Sequence, residues 1–135
     1  VIVKHALRKH KEFIISASKK VNEINHIPQT NYLEENLERD YYGYAPKFGC
    51  LIAEANNEPV GMIIYSKYYC ANNGEALWIS QIFVDRKYRK YGVFIRLIIK
   101  MNHQIMLHIY VLVENFIICV HVDSPGKNQN VSNVV

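Results

Sequence analysis

The residues whose types and spacing suit chemistry fall in one stretch, Asp85-Arg86-Lys87-Tyr88-Arg89-Lys90-Tyr91-Gly92. Arg86, Lys87, Arg89, Lys90, Arg96 and Lys100 crowd into a short part of a chain whose formal net charge is only +4. Ahead of them runs the apolar segment Leu77 to Val84. Behind them Phe94, Ile98, Met101 and Ile105 recur at helical spacing. A strand therefore leads through a basic loop and turns at a glycine into a helix N-terminus. The first N–H groups of a helix lack intrahelical partners, and the helix dipole adds partial positive charge there. A diphosphate can accept those N–H groups, while guanidinium and ammonium groups attract it from further away. Glycine at 92 lets the backbone approach such a ligand with no side chain between them. The chemistry expected here is anion binding.

Nothing else in the chain gathers into a reactive set. Cys50, Cys70 and Cys119 are an odd number at wide spacings, neither a disulfide framework nor a zinc pattern. Cys50 and Cys119 sit in apolar runs and read as small core residues rather than nucleophiles. The six histidines are scattered, and no carboxylate or thiol completes a ligand set with His5 and His10, so no metal site is expected. A basic cluster can also be a solvated face or bind nucleic acid. The aromatic residues lie in apolar strands instead of alternating with that basic surface, which argues against nucleic acid.

The elements that must position the loop follow from composition and periodicity. A chain of 135 residues, 50% hydrophobic and 21% charged, suits one globular domain. No apolar run approaches the roughly 20 residues of a membrane-spanning helix. The opening Val1-Ile2-Val3-Lys4-His5 does not resemble a signal peptide, so a cytoplasmic protein with no membrane partner is expected. Val1 to Ala6 reads as a first strand. Phe13, Ile14, Ala17 and Val21 give an amphipathic helix over about Arg8 to Ile24. A second helix, capped by Asn31, runs from Tyr32 to about Asp40, and Tyr41 to Gly49 reads as loop. Cys50 to Ala55, Val60 to Tyr69 and Leu77 to Val84 form an antiparallel meander with turns at Asn56-Asn57-Glu58-Pro59 and Asn72-Asn73-Gly74. The helix from Gly92 ends near Gln104, and Leu107, Ile109, Val111 and Val113 mark a further strand. Strand, helix, strand implies a crossover and a parallel pair.

Arg89-Lys90-Tyr91-Gly92-Val93 resembles the acyl-CoA signature Gln/Arg-x-x-Gly-x-Gly/Ala of the GNAT N-acetyltransferases. The order of elements over most of residues 1 to 115 is also similar to that family. The resemblance implies an α+β fold of three layers, an α/β arrangement in which a mixed central sheet carries the antiparallel meander. The crossover helix then joins a fourth and fifth strand that run parallel and splay apart. It further implies acetyl-CoA as co-substrate and a small primary amine, polyamine-like or amino-acid-like, as acceptor. By the same resemblance Arg89, Lys90, Tyr91, Gly92, Val93 and Phe94 cradle the CoA diphosphate. Ile82, Phe83 and Val84 offer backbone groups to the pantetheine arm, and Asn115 opens the segment after the fifth strand. Phe94 departs from the Gly/Ala of the signature. Its ring either turns into the core, the favoured reading, or crowds the diphosphate.

A second resemblance concerns the subgroup. Leu33-Glu34-Glu35, Pro46-Lys47-Phe48-Gly49-Cys50-Leu51-Ile52-Ala53-Glu54 and Val60-Gly61-Met62 are similar to the diamine (spermidine/spermine-type) acetyltransferases. The acidic pair of their Leu-Glu-Asp-Leu-Phe-Val strand is replaced here by Ser80 and Gln81. Glu54 and Glu75 read as exposed strand and turn charges, and no catalytic base is assigned. The family's tyrosine near the CoA sulfur has no counterpart, because Val113-Glu114-Asn115 runs into the β-branched Phe116-Ile117-Ile118-Cys119-Val120-His121-Val122. Two expectations follow. One is a homodimer in which Phe116 to Val122 pairs with a second copy, the alternative being that it folds back on its own sheet. The other is a second functional reading, a catalytically impaired GNAT-fold module for acyl-CoA binding or dimerisation. The domain is expected over 1–122, with 123–135 a disordered polar tail.

Overall fold

The computed structural model describes residues 1–29, 32–72, 74–101, 107–113, 116–122 and 130–133. A seven-stranded sheet carries helices on both faces. Its strands lie in chain order: β1 (Ile2–His5), β2 (Gly49–Ala55), β3 (Glu58–Cys70), β4 (Gly74–Val84), β5 (Leu107–Val113), β6 (Phe116–Val122) and β7 (Asn130–Asn133). All neighbours are antiparallel except β4 and β5, which are parallel. The mixed sheet, the meander of β2 to β4 and the parallel fourth and fifth strands are as the sequence leads one to expect.

Period-two alternation assigns the two faces. Leu51, Ala53, Ile63, Ile79 and Val84 pack with Val93, Leu97 and Ile98 of α3 (Val93–Met101). Cys50, Ile52, Met62, Ile64 and Phe83 pack with Ile14, Ala17 and Val21 of α1 (Lys11–Ile24). Both faces of the central strands are therefore covered, which explains their nearly continuous apolar sequence. The buried face of α3 is Val93, Leu97 and Ile98, with Met101 packed against the same core, so of the expected stripe Ile98 and Met101 face the sheet and Phe94 does not. Gly92, at φ 71°, turns the chain sharply into the helix.

Local signals explain the remaining boundaries. A 3₁₀ turn at Arg8–His10 leads into α1. His26, at φ 54°, ends α1 with Ile27 N–H donating to the Asn22 carbonyl at 2.8 Å, a Schellman closure with histidine where glycine is usual. The second helix, α2 (Tyr32–Asn36), continues as a π-turn over Leu37–Tyr41, so the segment expected to be a loop starts one residue later. Asn56 and Asn57, both at positive φ, join β2 to β3, as a two-residue hairpin turn requires.

Phe116–Val122 pairs with β5 along its whole length and with β7 from Ile118 to His121. The intramolecular alternative is therefore the one observed, which corrects pairing of this segment with a second copy. Asn130–Asn133 is a strand, which corrects the expected disordered tail for those four residues. Asn31, Asn73, Gln104, Asn115 and the rest of 123–135 lie outside the described residues. Among the described residues no helix is long and apolar enough to cross a membrane.

Candidate functional site

The site is built where β4 leaves its parallel neighbour. β4 pairs with β5 only from Ala76 to Ile79, whereas its pairing with β3 continues to Val84. Beyond Ile79 one edge of β4 has no strand beside it among the described residues. Alternation along an antiparallel ladder tells which groups face that edge. Asp85 N–H donates to the Val60 carbonyl at 2.7 Å, so Phe83 and Gln81, two and four residues earlier, also bond toward β3. The backbone groups of Ile82 and Val84 then point into the open slot.

A bulge sits at the mouth of the slot. Gln81 pairs with Ile64 and Ile79 with Tyr65, leaving Ser80 as the extra residue. Its hydroxyl donates to the Ile64 carbonyl at 3.2 Å. In a regular strand Gln81, two residues after Ile79, would share its face. The bulge instead leaves Ile79 among the α3-side core and turns Gln81 to α1, where its Nε2 donates to Asn22 Oδ1 at 3.2 Å. The other atom of that carboxamide, Gln81 Oε1, is buried with no partner among the described residues.

Two cavities meet at this point. A cleft of about 370 Å³ runs along Ile79 to Val84 between α1 and α3, with Arg89 and Phe94 on its far wall. A wider cavity of about 620 Å³ lies between α1 and α2 and is lined by Ser18, Lys19, Asn22, Tyr32, Asn36 and Ser66 among others. Ser80 and Gln81 line both. A donor lying in the cleft and an acceptor lying in the wider cavity would meet across these two residues.

The basic loop closes the cleft. Asp85 caps a 3₁₀ turn over Arg86–Tyr91, its carboxylate accepting from the Lys87 N–H at 3.0 Å. Arg89 Nε donates to the Val84 carbonyl at 3.0 Å, which leaves its terminal nitrogens for a ligand. At Gly92 the left-handed backbone excludes most side chains, and the space a Cβ would occupy is open. α3 begins immediately after it.

The other expected residues are placed as follows. Ile82, Phe83, Val84, Arg89 and Phe94 border the cleft. Val93 buries its side chain fully and can offer only its N–H. Lys90 is exposed. Tyr91, with Lys87, faces a different hollow of about 480 Å³ beside Val1 and Arg96. Phe94 does not turn into the core. It is 45% exposed and forms a wall of the cleft, because the α3 face is taken by Val93 and Leu97.

Glu54 is a further correction, since it is buried at 3% exposure instead of standing on the surface. Lys4 Nζ at 2.8 Å, His10 Nε2 at 2.5 Å and Lys9 Nζ at 3.3 Å surround it. Hydrogen bonds first from Lys4 and then from His10 hold its carboxyl down to about 2. Paired with three cations or donors and lining neither cavity, it is a structural anion and not a base. Burial pushes the Cys50 thiol up to about 12, so it stays protonated in the core as expected. Among the described residues no three histidine, cysteine or carboxylate groups come together to hold a metal.

Residues 18–104 match the Acetyltransferase (GNAT) family. Among solved structures, a possible acetyltransferase from Clostridium difficile 630 is similar at 19% identity and TM-score 0.62, covering 75% of this chain and 68% of that one. An acetyltransferase from Vibrio fischeri gives 16% and 0.59, covering 82% and 94%. AAC(6')-Iy, solved with the bisubstrate analogue CoA-S-monomethyl-acetylneamine, gives 18% and 0.61, covering 75% and 68%. At these identities the structural likeness speaks to the fold. No curated protein is similar enough in sequence to count as a match.

Proposed function

Because this chain belongs to the acetyltransferase (GNAT) family, we propose that it transfers the acetyl group of acetyl-CoA to a primary amine of a small molecule, polyamine-like or amino-acid-like. The observation that carries this reading is the junction of the two cavities at Ser80 and Gln81, beside a strand edge left free by β5. In this reading the slot-facing groups of Ile82 and Val84 bond the pantetheine arm. Arg89 and the first N–H groups of α3, from Val93 onward, hold the diphosphate, with Lys90, Tyr91 and Gly92 completing that turn. Phe83 fixes β4 on α1 through its edge-on contact with Phe13, ring centroids 6.1 Å apart.

The chain's own chemistry is mainly positional. The thioester supplies the activated acetyl group, and the free edge of β4 supplies N–H groups to polarise its carbonyl. Glu34 is the one carboxylate lining either cavity among the described residues, and Lys11 already pairs with it at 2.9 Å. The amine's proton therefore leaves through water, and the amine must enter uncharged. The non-catalytic alternative is not favoured, since the family match supports transfer. Cytoplasmic location, a single domain and a homodimer belong to the same reading. With both sides of β6 occupied, the dimer would use another surface, and a monomer at micromolar concentration in sedimentation would exclude it.

The test is calorimetric titration of acetyl-CoA into the purified protein, followed by free-thiol release with a mixed panel of amines. Binding with amine-dependent release supports the proposal. Binding with no release from any amine returns the non-catalytic module, and no binding removes the reading.

A further inference from the structure

We propose that Gln81 positions the acceptor amine, and that the acceptor carries its amine on an uncharged or acidic body, not on a polycation. This rests on the acetyltransferase reading and narrows it. The starting observation is the Gln81 carboxamide, tied at one end to Asn22 and left with a buried Oε1 that has no partner among the described residues, at the junction of the two cavities. A buried acceptor without a donor is unfavourable, and a ligand N–H that reaches it relieves that cost. The tether keeps this from being a flexible surface amide. Asn22 is itself set by the Schellman closure of α1, whose 2.8 Å bond from Ile27 N–H ends on its carbonyl.

The geometry suits an attacking amine. A primary amine must direct its lone pair at the thioester carbon, which leaves its N–H bonds to be oriented by the protein. As the C–N bond forms, nitrogen gains positive charge and its N–H groups become stronger donors, so a hydrogen bond to Gln81 Oε1 tightens toward the transition state. The C–S bond then breaks, sulfur leaves with the electron pair and takes up a proton, and the nitrogen's extra proton passes to water. A carboxamide cannot accept that proton, so Gln81 is a positioning residue and not a base.

The walls of the acceptor cavity argue the substrate class. Their polar groups are hydroxyls and amides from Ser18, Asn22, Gln29, Tyr32 and Asn36, set among apolar side chains, with Lys19 as a cation that forms no ion pair among the described residues. The one carboxylate there among the described residues, Glu34, shares Lys11 with Glu38, which Arg8 also pairs, so two cations face two anions. A polyamine would have to shed water from its remote ammonium groups against these neutral walls and Lys19, with no free anion among the described residues to compensate. An acidic or amide-bearing body meets partners instead. Lys19 lies one helical turn before Asn22, on a side of α1 within reach of the same ligand.

The experiment measures acetyl-CoA affinity by calorimetry, then thiol release with spermidine, a diamine, free amino acids, amino-acid amides and amino alcohols. The expected result is kcat/KM at least about tenfold higher for the best non-cationic amine than for spermidine. Gln81→Leu should raise acceptor KM and lower kcat, about tenfold in kcat/KM, while acetyl-CoA affinity stays within about twofold. Gln81→Glu keeps an acceptor oxygen, so it should recover activity, gain an acidic limb in its pH profile and shift preference toward spermidine. Asn22→Ala, which frees the carboxamide without removing it, should raise acceptor KM and leave acetyl-CoA affinity unchanged. Spermidine preferred by the unsubstituted protein overturns the substrate class. Unchanged acceptor KM and kcat in both Gln81→Leu and Asn22→Ala overturn the positioning role alone. Acetyl-CoA binding with no release from any amine overturns this inference together with the catalytic reading.

Discussion

His10 and Glu54 are joined by a 2.5 Å hydrogen bond with both side chains buried, which ties the turn before α1 to the second strand of the sheet. The Leu7 N–H donates to His10 Nδ1 at 2.9 Å, so that nitrogen carries no proton. Nε2 must then hold the ring's proton and donate it to the carboxylate, which fixes a neutral imidazole beside an anion. Tyr41 and Tyr42 close the same corner by donating to the Ala6 and Leu7 carbonyls, each at 2.8 Å. The corner orients α1, and α1 carries Asn22 to Gln81.

Acid should loosen this corner. The Glu54 carboxyl is held at about 2 by Lys4 first and His10 next, below its ordinary value of 4.5. A depressed carboxyl stabilises the fold fully above the unfolded value and loses that contribution as pH falls toward the folded one. Melting temperature should therefore drop between about pH 4.5 and pH 2. Glu54→Gln should lower it by several degrees at pH 7, and the gap between the two proteins should close toward pH 2. A gap that persists unchanged at low pH would mean the carboxylate's charge is not what stabilises the corner.

Much of this was legible in sequence, and the misses have physical causes. The strand, basic loop and Gly92 could be read because local rules of period and turn geometry govern them. The burial of Glu54 had a signal, since it shares parity with Cys50 and Ile52, both in the core. Its partner His10 had none, because 44 positions separate them and only the closed sheet brings them together. The junction at Gln81 was half visible as a polar interruption in an apolar strand. The bulge at Ser80 that turns it toward α1 arises from pairing with β3, which no local pattern encodes. Phe94 was misread because a helix whose apolar residues exceed one stripe has more than one possible phase, and contact with the sheet selects it.

The end of α1 is strained at one residue. His26 holds φ at 54°, a conformation that costs a residue with a Cβ about 1–2 kcal/mol. His26 is exposed and the Schellman bonds involve only backbone. His26→Gly should therefore stabilise the protein by up to about 1 kcal/mol, part of the gain being offset by the freer unfolded chain. A higher urea midpoint at an unchanged slope is the expected readout.

Gly49 faces the opposite constraint. A Cβ at that position would overlap the Tyr65 ring, its neighbour across β2 and β3. Gly49→Ala should cost about 1–3 kcal/mol through displacement of that ring. Adding Tyr65→Leu should recover most of the loss, because the smaller side chain vacates the space. A double-mutant cycle with no coupling between the two positions would place the strain elsewhere.

Phe94 supplies a test of the donor cleft that is separate from the acceptor. The ring stands on the first turn of α3, 45% exposed, against the cleft into which the N-terminal N–H groups of that helix would bond a diphosphate. Where the family signature has Gly or Ala, a phenyl group here can narrow the approach to those N–H groups or pack on what binds there. If the narrowing dominates, Phe94→Ala should tighten acetyl-CoA binding by about threefold to tenfold, a change of about 0.7–1.4 kcal/mol. Substitution should leave the fold intact, since Val93, Leu97 and Ile98 make the core contacts of α3. Calorimetric titration reads the difference directly. Weaker binding by the Ala variant would show instead that the ring packs on the bound co-substrate, and Phe94 would then be a contact that this chain uses in place of closer backbone approach.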